Sequence, residues 1–285
     1  MVHSLLLMEG CEMDSCIEVN RDINMFAQKG YVVVKLVHMQ ALNKLRDLVR
    51  AKLKSITKQD EITLETFQNY VKSTKEKISI QYEINSYIWK EQVHIEIFKE
   101  NIEIFEALIG RDLDIQKEPY IRVARPQSYE DNIGFHRDSF YGNSAYEISN
   151  FIPLVNLDNK SALMIEEESH KKGAIPYTKV KNEYVQKGSK ANQLGFLYEP
   201  KVINSNYNIK KMAVPLKFGE MLIFNLGLIH GQEVNSAKTT RWSMDTRIKN
   251  SFAPSKVKKE YYRELSRSPV SECASIYYES NGHEV

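Results

Sequence analysis

The stretch Ile133-Gly134-Phe135-His136-Arg137-Asp138-Ser139-Phe140-Tyr141-Gly142 decides how the rest of the chain is read. Its branched and aromatic residues, closed by glycine, predict a strand over Ile133 to Asp138. Side chains two apart in a strand share a face, so His136 and Asp138 converge on one point. A metal ion held there needs a third ligand. The best placed is His230, which ends the apolar run Met221-Leu222-Ile223-Phe224-Asn225-Leu226-Gly227-Leu228-Ile229. Two imidazoles and one carboxylate, with positions left open, suit iron(II).

Eleven residues after His230 comes Arg241, in Thr239-Thr240-Arg241-Trp242-Ser243-Met244-Asp245-Thr246-Arg247-Ile248. Alternation sends Arg241, Ser243, Asp245 and Arg247 to one face and Trp242, Met244, Thr246 and Ile248 to the other. The apolar set is expected to pack, leaving the polar set to line a cavity. A buried arginine must be paired, and its planar fork suits a carboxylate. Ser243 is placed to hydrogen-bond the same carboxylate. Asp245 and Arg247 are explained equally well by an internal ion pair or by substrate contact.

Around these two segments the chain has two textures. Before Pro119, apolar positions recur at helical spacing: Leu42, Leu45, Leu48, Val49 and Leu53, then Thr63 to Val71, then Ile95 to Ile109 closed by Gly110. From Pro119 onward short runs predict strands: Tyr120 to Val123, Ile148 to Val155, Ala162 to Ile165, Met212 to Leu216, Met221 to Phe224 and Arg241 to Ile248. Short strands with turn signals predict a mainly β fold with flanking helices, a double-stranded β-helix or jelly roll. The expected organisation is an N-terminal tail over 1–22 and one domain over 23–252. Within it a helical cover spans 37–118 and the jelly-roll core 119–250. The long polar stretch 171–211 is expected to be a mobile lid, and 253–285 a C-terminal helical extension or tail.

The order H-x-D, a distant histidine, then arginine eleven residues on resembles the iron(II)/2-oxoglutarate dioxygenases of the phytanoyl-CoA dioxygenase type. Phe26 to Val34 with Leu42, Leu45 and Val49 looks like that family's opening strand and helix. Asn150 to Leu154 looks like its strand after the H-x-D. Ser161 to Ile165, running on to Ser169-His170-Lys171, looks like the segment ending in a glycine-serine-histidine turn, with Glu168 where the glycine usually stands. The resemblance covers about Ile23 to Ile248. It implies Fe(II) held by His136, Asp138 and His230, with 2-oxoglutarate as co-substrate offering its far carboxylate to Arg241 and Ser243. It further implies dioxygen and a small-molecule substrate as partners, and oxidative decarboxylation coupled to hydroxylation. Related halogenases carry a small residue in place of Asp138, so the carboxylate argues for hydroxylation. The Gly134 to Gly142 run is similar to dioxygenases of bacterial carbohydrate and surface-polysaccharide biosynthesis, with a secondary-metabolite or amino-acid-derived substrate as the alternative. Arg122, Arg125 and Gln127 precede the metal segment, where the family often reaches co-substrate or substrate.

Composition closes other routes. Lysine and arginine total 39 against 37 acidic residues, a net charge of +2, which argues against nucleic acid or a charged membrane surface as partner. Three cysteines without a CxxC pair fit a reducing compartment. No apolar run approaches the ~20 residues of a membrane span, and a cytoplasmic location is expected. His170 is assigned to its turn rather than to the metal, and His3, His38, His94 and His283 to the surface. Two other readings remain for a strand-rich chain: a cupin-type metal-dependent isomerase or epimerase, and a metal-free carbohydrate-binding jelly roll. The first does not need Arg241 at its spacing, and the second has no use for the ligand set.

Overall fold

The structure is a computed structural model that describes residues 23–144, 146–255, 257 and 259–280. The expected tail over 1–22 lies outside the described residues. Helix α1 (residues 23–29) turns at Gly30 into strand β1 (Tyr31–Lys35). Five helices follow: α2 (Gln40–Thr57), α3 (Phe67–Tyr70), α4 (Thr74–Glu91), α5 (His94–Lys99) and α6 (Ile102–Ile109). Then come β2 (Leu113–Gln116), β3 (Tyr120–Ala124), β4 (Glu147–Pro153), β5 (Leu163–Glu166) and β6 (Tyr177–Lys179). The short helix α7 (Lys190–Gln193) precedes β7 (Lys201–Ile203), β8 (Met212–Val214), β9 (Glu220–Asn225), β10 (Ile229–Gly231), β11 (Arg241–Asn250), β12 (Tyr262–Ser266) and α8 (Pro269–Ser280).

Seven strands form the larger sheet, in the order β1-β9-β4-β11-β2-β12 with β3 also paired to β11. Strands β10, β5 and β8 form a second sheet, and β6 pairs β7. Every pairing is antiparallel. The expected jelly roll is therefore what the chain forms. Three details differ from the sequence reading. The apolar run that His230 ends holds two strands and not only the one expected over Met221 to Phe224: it breaks at Leu226-Gly227-Leu228, so β9 lies in the large sheet and β10, with His230, in the small one. Helix 95–109 is split at Asn101, whose side chain accepts from the Val37 and His38 amides and donates to the His38 and Ile97 carbonyls. The C-terminal extension adds strand β12 to the edge of the large sheet before its helix begins.

The helices pack on the outside of the large sheet. Leu42, Leu45, Val49 and Leu53 give α2 a fully buried stripe, the one that their spacing predicts. Helix α4 was not singled out by the apolar pattern alone, yet it carries a cap: the Ser73 hydroxyl accepts from the Glu76 amide. Its amide side chains finish the outer edge of β3. Asn85 bonds both the N–H and the C=O of Ile121, and Gln81 adds a second donor to that carbonyl, so at Ile121 the edge has no free backbone group for a foreign strand. On β11 the buried Trp242 meets Phe67 edge-on at 5.3 Å and donates to the Leu64 carbonyl. This ties the 62–67 segment to the back of the strand, where the expected helix shrinks to the single turn of α3.

Candidate metal centre

His136 and Asp138 do come together, though not on a strand. Residue 136 is a single bridge position on the edge of the small sheet: its N–H and C=O both pair with those of His230, at 2.9 and 3.0 Å. Directly opposed residues present their side chains on one face, so the two imidazoles meet with ring centroids 4.4 Å apart. The close approach needs Gly231, where a Cβ would lie 2.8 Å from the Cα of Phe135. Beyond His136 the chain curls into a 3-10 turn over Asp138–Tyr141 that ends at Gly142. That turn, rather than strand alternation, aims Asp138 back at the histidines.

The ligand atoms converge. Asp138 Oδ1 is 3.6 Å from His136 Nε2 and 4.0 Å from His230 Nε2. The three residues are the one His/Cys/Asp/Glu group among the described residues with spacing suited to a metal ion. Each imidazole is turned by its own backbone: Nδ1 of His136 faces the Gly134 carbonyl at 2.7 Å, and Nδ1 of His230 the Leu228 carbonyl at 3.0 Å. A proton on Nδ1 leaves the Nε2 lone pair free, which is the tautomer a metal ligand needs. Burial, then the neighbouring His136, pushes His230 down to about 4, so it is neutral at pH 7. Burial opposes ionisation of Asp138, but Arg247 and the two neighbouring imidazoles outweigh it and hold the carboxyl well below the usual range. The donor set is one a divalent transition metal takes.

The group opens into a cavity of about 290 Å³ between the two sheets. Ser149, Phe151 and Phe224 line it from the large sheet, and Leu163 and His230 from the small one. On β11 the sequence reading placed four polar residues on the cavity face, and the structure divides them. Asp245 and Arg247 line the cavity. Arg247 Nη2 bonds Asp138 Oδ2 at 3.0 Å, and Arg122 Nε bonds Asp245 Oδ2 at 3.1 Å. Arg241 and Ser243 are buried but are not on the cavity wall. Arg241 donates to Gln232, which does line the cavity, and to the Ser161 carbonyl. Its Nε and the Ser243 hydroxyl are both buried without a hydrogen-bond partner.

Of the three residues ahead of the metal segment, Arg122 reaches the cavity. Arg125 is turned away into an ion pair with Asp131 at 2.9 Å, and Gln127 is exposed on a turn with φ of 56°. His170 stands apart from the metal group, as expected. It packs on Gly30, where a Cβ would come within 2.3 Å of its Nδ1. Glu168 takes the glycine's place in that turn with φ of 60°, a conformation costing roughly 1–2 kcal/mol without glycine. His94, expected at the surface, is fully buried and faces the Gln116 carbonyl at 3.1 Å.

No protein-family model and no curated protein matches the sequence. Solved structures do share its architecture, a double-stranded β-helix with helices on the outer face. EvdO2 from Micromonospora carbonacea var. aurantiaca, complexed with 2-oxoglutarate, is 13% identical over 84% of this chain and 93% of its own, with a TM-score of 0.55. The apo non-heme monooxygenase ThoJ is 14% identical over 86% of this chain and 84% of its own, TM-score 0.52. The epimerase SnoN, in complex with Fe3+, alpha ketoglutarate and nogalamycin RO, is 11% identical over 88% of this chain and 99% of its own, TM-score 0.51. At such identities the likeness is one of fold.

Proposed function

We propose that the chain is a non-haem iron, 2-oxoglutarate-dependent oxygenase of the phytanoyl-CoA dioxygenase type that hydroxylates a small organic substrate, a sugar or surface-polysaccharide precursor. The observation that carries this is the convergence of His136, Asp138 and His230 in a cavity, with both imidazoles turned by backbone carbonyls to present Nε2. The structural neighbours named for 2-oxoglutarate, iron and monooxygenase chemistry support it. When bound, iron with 2-oxoglutarate and dioxygen supplies oxidation of an unactivated C–H bond.

The protein's own residues have definite parts. His136, Asp138 and His230 hold the metal, and Arg247 keeps Asp138 ionised and aimed. Arg241 and Ser243 hold the far carboxylate of 2-oxoglutarate: each has a buried donor without an acceptor, and the two lie on one face of β11. Gln232, which occupies part of the Arg241 fork, gives way to that carboxylate. The 171–211 segment closes over the cavity and keeps water from the reaction. Anaerobic titration tests the whole reading. A weak visible absorption band is expected only when iron(II) and 2-oxoglutarate are both present. A band or tight binding with iron alone, indifferent to 2-oxoglutarate, favours the cupin-type isomerase. No iron binding favours the metal-free carbohydrate-binding module. An epimerase, SnoN, and a carbocyclase, SnoK, share the fold, so the oxidised product is to be identified by mass, a gain of one oxygen marking hydroxylation.

A further inference from the structure

The C-terminal segment, read from the sequence as a helical extension or tail, supplies a side chain to the metal cavity. Tyr261 lies on the cavity wall, one residue ahead of β12. Its backbone is tied down: the carbonyl accepts from the Lys117 amide at 2.9 Å. The next residue, Tyr262, pairs with Gln116 on β2 and donates its hydroxyl to Glu147 Oε2 at 2.7 Å. The Tyr261 oxygen accepts from Arg247 Nη1 at 3.1 Å, while Nη2 of the same guanidinium bonds Asp138. One guanidinium therefore separates this phenol from a metal ligand.

A phenol has one proton to donate. Because Arg247 donates to the Tyr261 oxygen, that proton must go elsewhere, and no acceptor for it stands among the described residues. Burial raises the phenol above its usual value against the pull of Arg247, so the proton stays in place. A second hydroxyl is near enough to act on it electrostatically, that of Tyr120. Tyr120 stands directly opposite Asp245 on β11, which in turn stands opposite Phe151 on β4. Opposed residues share a face, and all three line the cavity. The Tyr120 ring lies against the Arg122 guanidinium, 4.8 Å away, and its hydroxyl has no hydrogen-bond partner among the described residues. The charges at this end are matched: Arg122 pairs with Asp245, and Arg247 with Asp138. Lys201 of β7, also on the wall, donates to the Phe140 carbonyl and lies over the Tyr177 ring at 5.0 Å. Phe151, Phe196 and Phe224 add apolar surface. Directed hydroxyl donors on a charge-matched wall with aromatic neighbours suit an uncharged ring that carries oxygen acceptors. At about 290 Å³ the cavity is at the small end for an organic ligand, which limits the bound unit to the size of one such ring.

We infer that Tyr120 and Tyr261 are the substrate-orienting residues of this cavity, their hydroxyls donating to oxygens of an uncharged, hydroxylated ring of monosaccharide size. That the ring is then oxidised rests on the oxygenase reading; its binding does not. The far carboxylate of 2-oxoglutarate is not the acceptor, because Arg241 lies three same-face steps back along β11 from Arg247. The C-terminal extension thus contributes a specificity-determining residue to a site otherwise built by the jelly roll.

Ligand-observed NMR titration of the full-length chain, loaded with zinc(II) and 2-oxoglutarate and again without metal, tests this. The probes are the methyl glycosides of glucose, galactose and mannose, with glucuronate and glucosamine as charged counterparts. At least one glycoside is expected to bind, with or without metal, and more tightly than either charged sugar. Tyr261→Phe keeps the ring and should weaken that binding roughly tenfold, and Tyr120→Phe by a similar factor. Tyr262→Phe removes a hydroxyl that Glu147 holds and should leave it unchanged. No glycoside binding overturns the assignment, as does tighter binding of glucuronate or glucosamine, or full affinity in both Tyr120→Phe and Tyr261→Phe. Iron affinity separates orientation of the substrate from support of the metal. It should stay at the parent value in Tyr261→Phe. A fall matching the loss of glycoside affinity would show that the hydroxyl acts through Arg247, which also overturns the assignment. Glycoside binding by a chain that binds no iron would sink the oxygenase reading alone. Binding of iron and 2-oxoglutarate without any glycoside would sink this one alone.

Discussion

Two buried aspartates lie near one another in sequence and face opposite fates. Asp131 is saturated: Arg125 bonds it through its backbone N–H at 2.9 Å and its guanidinium at 2.9 and 3.1 Å, and Lys77 lies 3.3 Å away. Asp138 has one oxygen on Arg247, while the other faces two imidazole nitrogens at 3.6 and 4.0 Å, too far for hydrogen bonds. The first cluster completes itself with protein groups and joins α4 to the chain just before the metal segment. The second leaves a gap shaped for a cation. A buried carboxylate whose every lone pair is met holds structure; one left open beside imidazole nitrogens is free to take a ligand.

The largest effect expected at the open cluster is loss of the metal. His136→Ala and His230→Ala should each abolish stoichiometric iron, measured on anaerobically reconstituted protein, while circular dichroism stays that of the fold. Full iron in both variants would break the contrast from that side. At the closed cluster the order reverses. Asp131→Asn leaves Lys77 and Arg125 buried beside a neutral amide, a loss of about 3–5 kcal/mol in urea unfolding, with iron binding per folded molecule unchanged.

A third buried group sharpens the contrast through pH. Burial lowers His94 to about 4, the Gln116 hydrogen bond opposing, whereas unfolded histidine titrates near 6.5. Between these values the unfolded chain takes up a proton that the folded chain refuses. Stability is therefore flat from this source above pH 6.5 and falls as pH drops toward 4, by about 3 kcal/mol in all. In the difference between the parent chain and His94→Gln, that slope should appear with this sign; a difference independent of pH would show that His94 charges freely in the fold. The smallest effect is at the fork. Arg241→Lys keeps the charge but loses a directed pair of donors, so 2-oxoglutarate should bind roughly tenfold more weakly, about 1.4 kcal/mol. Iron affinity should be unmoved, and unchanged 2-oxoglutarate affinity would take Arg241 out of the site.

Much of this was legible in the chain. The β texture after Pro119 and the alternation on β11 come from period-2 patterning, and the α2 stripe from helical spacing, all of which are local. His136, Asp138 and His230 were readable as a set because order and spacing along the chain survive even where the local geometry was misread. Helix α4 could have been found from Ser73 with Glu76, a capping pair ahead of Ile80, Ile84 and Ile88 at four-residue steps. Strand β12 could not, because its burial comes from β2, far back in the sequence.

What the sequence alone determined is which side chains carry chemistry and which faces are apolar, since both are properties of residue type and short-range period. Tertiary structure decided their partners. Nothing local says that His136 meets His230 across a backbone bridge, that Gly231 makes room for it, or that Arg247 rather than Arg241 touches the Asp138 carboxylate. Nor does period alone say that Arg125 is spent on Asp131 while Arg122 faces the cavity. Those choices depend on which strands pair and in what register. Pairing is settled by burying distant apolar faces together, and a one-residue shift in it would send every one of these side chains to the other side.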